Sequence, residues 1–172
     1  MAENVQQPIE NVDDDDQVAD EERLEEGAEA LEVLDVLEVH ASTWNDYIDL
    51  LVSKHADIRK AMICKLEDGA VWARTRGNRF FKATVPELTR LAERMQDPTT
   101  TQDISIKLEE ELYVVTVGGE NYMHARKGDY GVYVFKTLQT MIIVLYYGRL
   151  ETHFSMYMAV SDFAENLKKE GF

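Results

Sequence analysis

Between residues 103 and 147 the chain passes through five stretches of strand-type sequence with very little between them. They cover 103–108, 112–117, 122–126, 132–136 and 140–147. The gaps hold turn chemistry, Gly118-Gly119 and Lys127-Gly128-Asp129-Tyr130-Gly131. Connections this short join antiparallel neighbours, because a parallel pair needs a crossover of a dozen residues or more. No other feature constrains the fold as much: it dictates an antiparallel meander whose apolar face must be covered.

The covering elements are legible on either side. Ser42 or Thr43 is placed to cap a helix carrying Trp44, Tyr47, Ile48, Leu51 and Val52 at 3.6-residue spacing. Two further strand signals, 61–66 and 71–75, flank an Asp68-Gly69 turn. Thr84 caps a second helix with Pro86 and Glu87 in its first turn, running to about Met95. A last helix is predicted over roughly 154–169, ended by Gly171. The order is helix, two strands, helix, five strands, helix. The expected fold is α+β, a central antiparallel β-sheet of six or seven strands covered by helices. The N- and C-terminal helices are expected to be adjacent on one face.

Charge divides the chain near residue 40. The net charge of −15 comes from 33 acidic and 18 basic residues, and residues 1–40 hold fifteen of the acids and a single base, Arg23. Residues 41–172 are therefore close to neutral and form the expected domain. Residues 1–23 have the composition of disorder. In 24–39 a helical beat competes with partial alternation, so helix and strand both remain open. This acidic extension is either a solubilising tail or a regulator of the body in cis.

Several classes are excluded. The N-terminal stretch lacks the basic start and apolar run of a secretory signal, and the longest apolar run, 141–147, is too short to cross a bilayer, so a cytoplasmic protein is expected. Excess negative charge argues against nucleic acid as a partner. Cys64, the single cysteine, sits in an apolar strand and reads as an inert core thiol. The histidines at 40, 55, 124 and 153 have no metal-ligand spacing, and no HExxH, GxSxG or phosphate-loop motif is present. No cofactor, metal or catalytic role is expected.

Five pieces of sequence carry a family resemblance. Trp44-Asn45-Asp46-Tyr47-Ile48 resembles the W-x-x-Y opening of profilins, and Asp68-Gly69-Ala70-Val71-Trp72-Ala73 resembles their D-G-S-V-W-A hairpin. The basic turn from Arg126-Lys127-Gly128 to Lys136-Thr137, the segment Leu145-Tyr146-Tyr147-Gly148, and Leu167-Lys168-Lys169-Glu170-Gly171-Phe172 are similar to later profilin segments, in order, over about 43–172. The resemblance implies an actin-monomer-binding and polyproline-binding adaptor that regulates filament assembly, itself a monomer.

It also implies sites. Trp44, Tyr47, Trp72, Asn166, Leu167 and Phe172 fall on polyproline-groove positions, where aromatic faces grip a preformed polyproline II helix. Arg126, Lys127, Lys136, Phe154, Tyr157, Met158 and Asp162 fall on the actin-facing surface, the cations suited to an acidic partner. Arg126, Lys127, Lys168 and Lys169 are the candidates for phosphoinositide headgroups. The chain departs from the family pattern where Phe172 replaces a frequent tyrosine, where Glu109-Glu110-Glu111 replaces a glycine-rich turn, and where Arg149 follows the glycine of Tyr146-Tyr147-Gly148 in place of proline. The alternative is a scaffold of similar topology without actin binding, of the roadblock or longin type. The aromatic set argues against it, since such a scaffold has no use for those rings.

Overall fold

A computed structural model describes residues 43–97 and 104–172, without the side chains of residues 150 and 151. The acidic segment 1–40 and the threonines after Pro98 lie outside the described residues.

Thr43 opens helix α1 (Trp44–Lys54) with a capping box: its N–H donates to Asp46 Oδ2 at 2.8 Å, and its hydroxyl accepts from the Asp46 N–H at 3.3 Å. Strands β1 (Ile58–Lys65) and β2 (Val71–Arg74) follow, then a 3-10 turn (Gly77–Arg79). Helix α2 (Val85–Gln96) also begins with a capping box, between Thr84 and Glu87. The meander is β3 (Ser105–Leu108), β4 (Glu111–Gly118), β5 (Tyr122–Lys127), β6 (Tyr130–Lys136) and β7 (Thr140–Tyr147), and helix α3 (Leu150–Lys169) closes the described chain.

The strands form one antiparallel seven-stranded sheet in the order β2-β1-β7-β6-β5-β4-β3. Side-chain alternation builds two cores. Met62, Cys64, Met141, Ile143 and Leu145 face α2 and its Leu88, Leu91 and Met95. Ile63, Tyr133, Ile142, Val144 and Tyr146 face α1 and α3 through Ile48, Leu51, Met156, Val160 and Leu167. The terminal helices therefore share a face and touch, as expected. Cys64 is fully buried in the α2-side core, and burial pushes its thiol up to about 12, consistent with an inert role.

Two boundaries differ from expectation. β1 starts at Ile58 because Arg59 is an extra residue between the pairs Ile58–Tyr146 and Lys60–Leu145, a bulge that breaks the alternation read from sequence. α3 begins a turn before 154; its N-cap, Arg149, makes no side-chain capping bond, so no capping signature marks the start.

Of the run Glu109-Glu110-Glu111, the first two residues form the β3–β4 turn and the third begins β4. Leu108 pairs with Glu111, leaving Glu109 and Glu110 as a two-residue loop with φ of 53° and 69°. Such loops need left-handed residues and normally use Asn or Gly. Here the strain is offset by fixed partners. Glu109 accepts from Lys60 Nζ and the Lys82 N–H, both at 2.6 Å, and the Glu110 N–H donates to Glu87 Oε1 at 2.9 Å. Burial alone would raise the Glu87 carboxyl, but the N–H groups of Thr84, Glu110 and Glu109 and the Thr84 hydroxyl hold it below the usual carboxylate range.

Candidate functional site: an aromatic groove and an apolar ridge

Three local devices bring the rings together. The capping box fixes the start of α1, so Trp44 and Tyr47, three residues apart, project from one face. On β2 the register steps from Ile63–Ala73 to Cys64–Val71, which leaves Trp72 as the extra residue of a bulge. A bulge re-aims a side chain, and the Trp72 indole meets Trp44 at 4.8 Å between ring centroids. The preceding turn is tied down by Asp68 Oδ1, which accepts from the Ala70 N–H at 2.9 Å. Gly69 is obligatory there: its φ is 78°, and a Cβ would lie 2.7 Å from the Leu88 carbonyl carbon.

The third device is the end of α3. The Phe172 N–H donates to Leu167 O at 3.0 Å and the Gly171 N–H to Lys168 O at 3.1 Å, a Schellman motif with Gly171 at φ 92°. The Leu138 N–H donates to Phe172 O at 3.0 Å, stitching this residue to the β6–β7 turn. The Phe172 ring then stands edge-on to Trp44 at 4.6 Å.

The outcome is a half-buried cluster of Trp44, Tyr47, Trp72 and Phe172 at the junction of α1, β2 and α3. It contains both tryptophans of the chain. Asn166 is exposed on α3, whereas Leu167 is 1 % exposed and supports the cluster from beneath. Phe163, which the sequence reading did not single out, packs edge-on to Tyr47 at 6.2 Å. Its spacing of three from Asn166 was the available signal.

The residues assigned to the second surface separate by role. Phe154 and Met158 are 72 % and 43 % exposed, one helical turn apart, and Asp162 continues the stripe. Tyr157 turns inward, 5.3 Å from Tyr122 and 5.6 Å from Phe135. On the same face of the sheet Leu112 and Val114 are exposed, opposite in alternation to the buried Tyr113. Arg126 is committed to backbone, donating to Gly148 O at 3.0 Å and Gly128 O at 3.2 Å, while Lys127 is ion-paired with Glu111. Lys136, half-buried, ends β6.

The four cations assigned to headgroups do not converge. Arg126 is bonded to Gly148, just before α3, whereas Lys168 and Lys169 close that helix, and its twenty residues at 1.5 Å each span about 30 Å between the two pairs. Lys168 is in addition paired with Glu165 at 2.7 Å.

Between ridge and sheet lies a buried polar cluster absent from the sequence reading. His124 is 1 % exposed; its Nε2 is 2.8 Å from the Tyr146 hydroxyl and its Nδ1 2.6 Å from Thr116 Oγ1. Thr116 is the extra residue of a β4–β5 bulge. His153 of α3 stacks on His124 and bonds the Tyr133 hydroxyl through Nδ1. Burial first, then His153 and Arg126, lower His124 to about 4. Among the described residues no group of His, Cys, Asp and Glu could hold a metal ion, and no helix is long and apolar enough to cross a membrane.

The family model described as Profilin matches residues 42–172. The chain belongs to the profilin family. Profilin-2 of Caenorhabditis elegans is 34 % identical over 131 residues, covering 76 % of this chain and 99 % of that one. Profilin IA of Acanthamoeba castellanii superposes with a TM-score of 0.67 at 23 % identity, over 76 % of this chain and all of that one. A LokiProfilin1 crystallised as a complex with rabbit actin gives a TM-score of 0.58 at 14 % identity, over 72 % and 92 % of the two chains. The two structural matches concern the fold alone. Profilins are not enzymes, in keeping with the expectation for this chain.

Proposed function

We propose that this profilin binds monomeric actin on the β4–α3 face and proline-rich segments in the aromatic groove, and so acts as an adaptor in filament assembly. The observation that carries the reading is the gathering of Trp44, Tyr47, Trp72 and Phe172 at the contact of the terminal helices. A polyproline II helix presents flat rings and unpaired carbonyls. The groove offers ring faces together with the N–H of two indoles. Family membership supports the actin reading, as does the crystallisation of a protein of this fold with actin. Because Arg126 and Lys127 are already engaged within the chain, the exposed ridge of Leu112, Val114, Phe154 and Met158 is the expected anchor, with charge as a secondary element.

The groove is tested by titrating polyproline peptide into the full chain while following tryptophan fluorescence, since both tryptophans belong to the groove. A saturable change lost in Trp44→Ala supports the reading; no change at any concentration refutes it and favours a scaffold role. The acidic segment is assigned a regulatory effect on this binding. Removal of residues 1–40 then alters affinity or its salt dependence, and identical curves would leave it a solubilising tail.

A further inference from the structure

Tyr47 Oη lies 2.6 Å from Glu170 Oε2, the length of a phenol donating to an ionised carboxylate. A phenol carries one proton, so while that proton is given to Glu170 no ligand can use it. The rings of the groove have three donors, the Trp44 and Trp72 indoles and this hydroxyl, and Phe172 adds none. One donor of three is thus satisfied from within the chain.

The Tyr47 ring and the Glu170 backbone are held in place. Tyr47 is flanked by Trp44 at 5.8 Å and Phe163 at 6.2 Å. Glu170 is fixed at the end of α3, its N–H donating to Asn166 O at 3.1 Å, two residues before the locked Phe172. The bond to Glu170 is the main cause that pushes the Tyr47 phenol up to about 12, with burial second.

We propose that Glu170 sets the affinity of the groove, its carboxylate competing with the carbonyl oxygens of a proline-rich ligand for the Tyr47 hydroxyl. The inference rests on the polyproline reading above. Proline has no N–H, so such a ligand brings acceptors and nothing that could satisfy the displaced carboxylate. A charged acceptor also forms the stronger hydrogen bond of the two. Plain polyproline therefore binds with Tyr47 still turned to Glu170, gripped by rings and indoles alone.

The test uses four forms of the full chain: wild type, Glu170→Ala, Tyr47→Phe and the double variant, each titrated with polyproline peptide. Glu170→Ala is expected to bind about three- to tenfold tighter, the worth of one released hydrogen bond. Tyr47→Phe alone is expected to change affinity little, and the gain from Glu170→Ala is expected to vanish in the Tyr47→Phe background. Equal affinities for wild type and Glu170→Ala would overturn the inference, as would a gain of the same size without the hydroxyl, which would mark a general charge effect. Binding by none of the four would remove the polyproline reading and this inference with it. A separate readout is the titration of the Tyr47 ring by NMR. In Glu170→Ala it should move towards about 10, the ordinary phenol value, and an unmoved Tyr47 would show that the bond does not exist in solution.

Discussion

His124 lies ring upon ring with His153, centroids 4.1 Å apart, and both nitrogens of the buried imidazole are held by hydroxyls. A charge on His124 would be cut off from water by burial and would face a second imidazole and the Arg126 guanidinium. In the unfolded chain the same side chain titrates near 6.5. Between about pH 6.5 and about 4 the unfolded state therefore binds a proton that the native state refuses, and stability falls as pH falls through that window. The shift corresponds to a loss of about 3 kcal/mol at most. Urea unfolding at pH 7.5 and pH 5 should show it, and His124→Gln should flatten the difference; an unchanged difference would contradict the assignment.

Gly131 is a packing requirement. A Cβ there would lie 2.2 Å from the Tyr146 ring, which is fully buried and bonded to His124. Gly131→Ala is expected to cost about 1–3 kcal/mol by overpacking, read as a lower urea midpoint at unchanged slope.

The β3–β4 turn makes a paired prediction. Glu109 holds Lys60 and the Lys82 N–H, so Glu109→Ala should destabilise by about 1–2 kcal/mol. Glu110 is exposed at φ 69° and its side chain makes no hydrogen bond or ion pair among the described residues, so Glu110→Gly should leave stability unchanged or raise it by up to about 1 kcal/mol. Thermal unfolding of the two variants side by side checks the contrast; similar losses in both would show that the side chain of Glu110 matters in a way the geometry does not reveal.

Phe154 is 72 % exposed at the head of the ridge. Phe154→Asp should leave the unfolding midpoint within about 0.5 kcal/mol of wild type, as expected of a surface substitution. If the ridge is the actin anchor, the same change should weaken the slowing of spontaneous actin assembly at least tenfold. Full retention of that effect would move the anchor elsewhere.

How much of this was legible depended on whether a residue obeyed the local period. The capping boxes at Thr43 and Thr84, the Asp68-Gly69 turn and the continuous apolar run of β7 all follow local rules, so helices, hairpin and meander could be read directly. The three bulges could not, because an extra residue looks in sequence like any other. Those bulges decide where Trp72, Thr116 and Arg59 point. The roles of Glu109 and Glu110 in their turn could not be read either, because their partners, Lys60, Lys82 and Glu87, are distant in sequence. The depth of Leu167 and the inward turn of Tyr157 depend on α3 packing over the sheet, which spacing alone does not fix.

The bulge that turns Trp72 towards Trp44 sits on an outermost strand, and that position has a second effect. β2 is four residues long, and its extra residue interrupts the even row of N–H and C=O groups that another chain's strand would need to pair with. A neighbouring polypeptide arriving at this margin meets a short and irregular template. The same irregularity that brings Trp72 to Trp44 thus disfavours strand-by-strand growth at this border of the sheet, and with it one common route to aggregation.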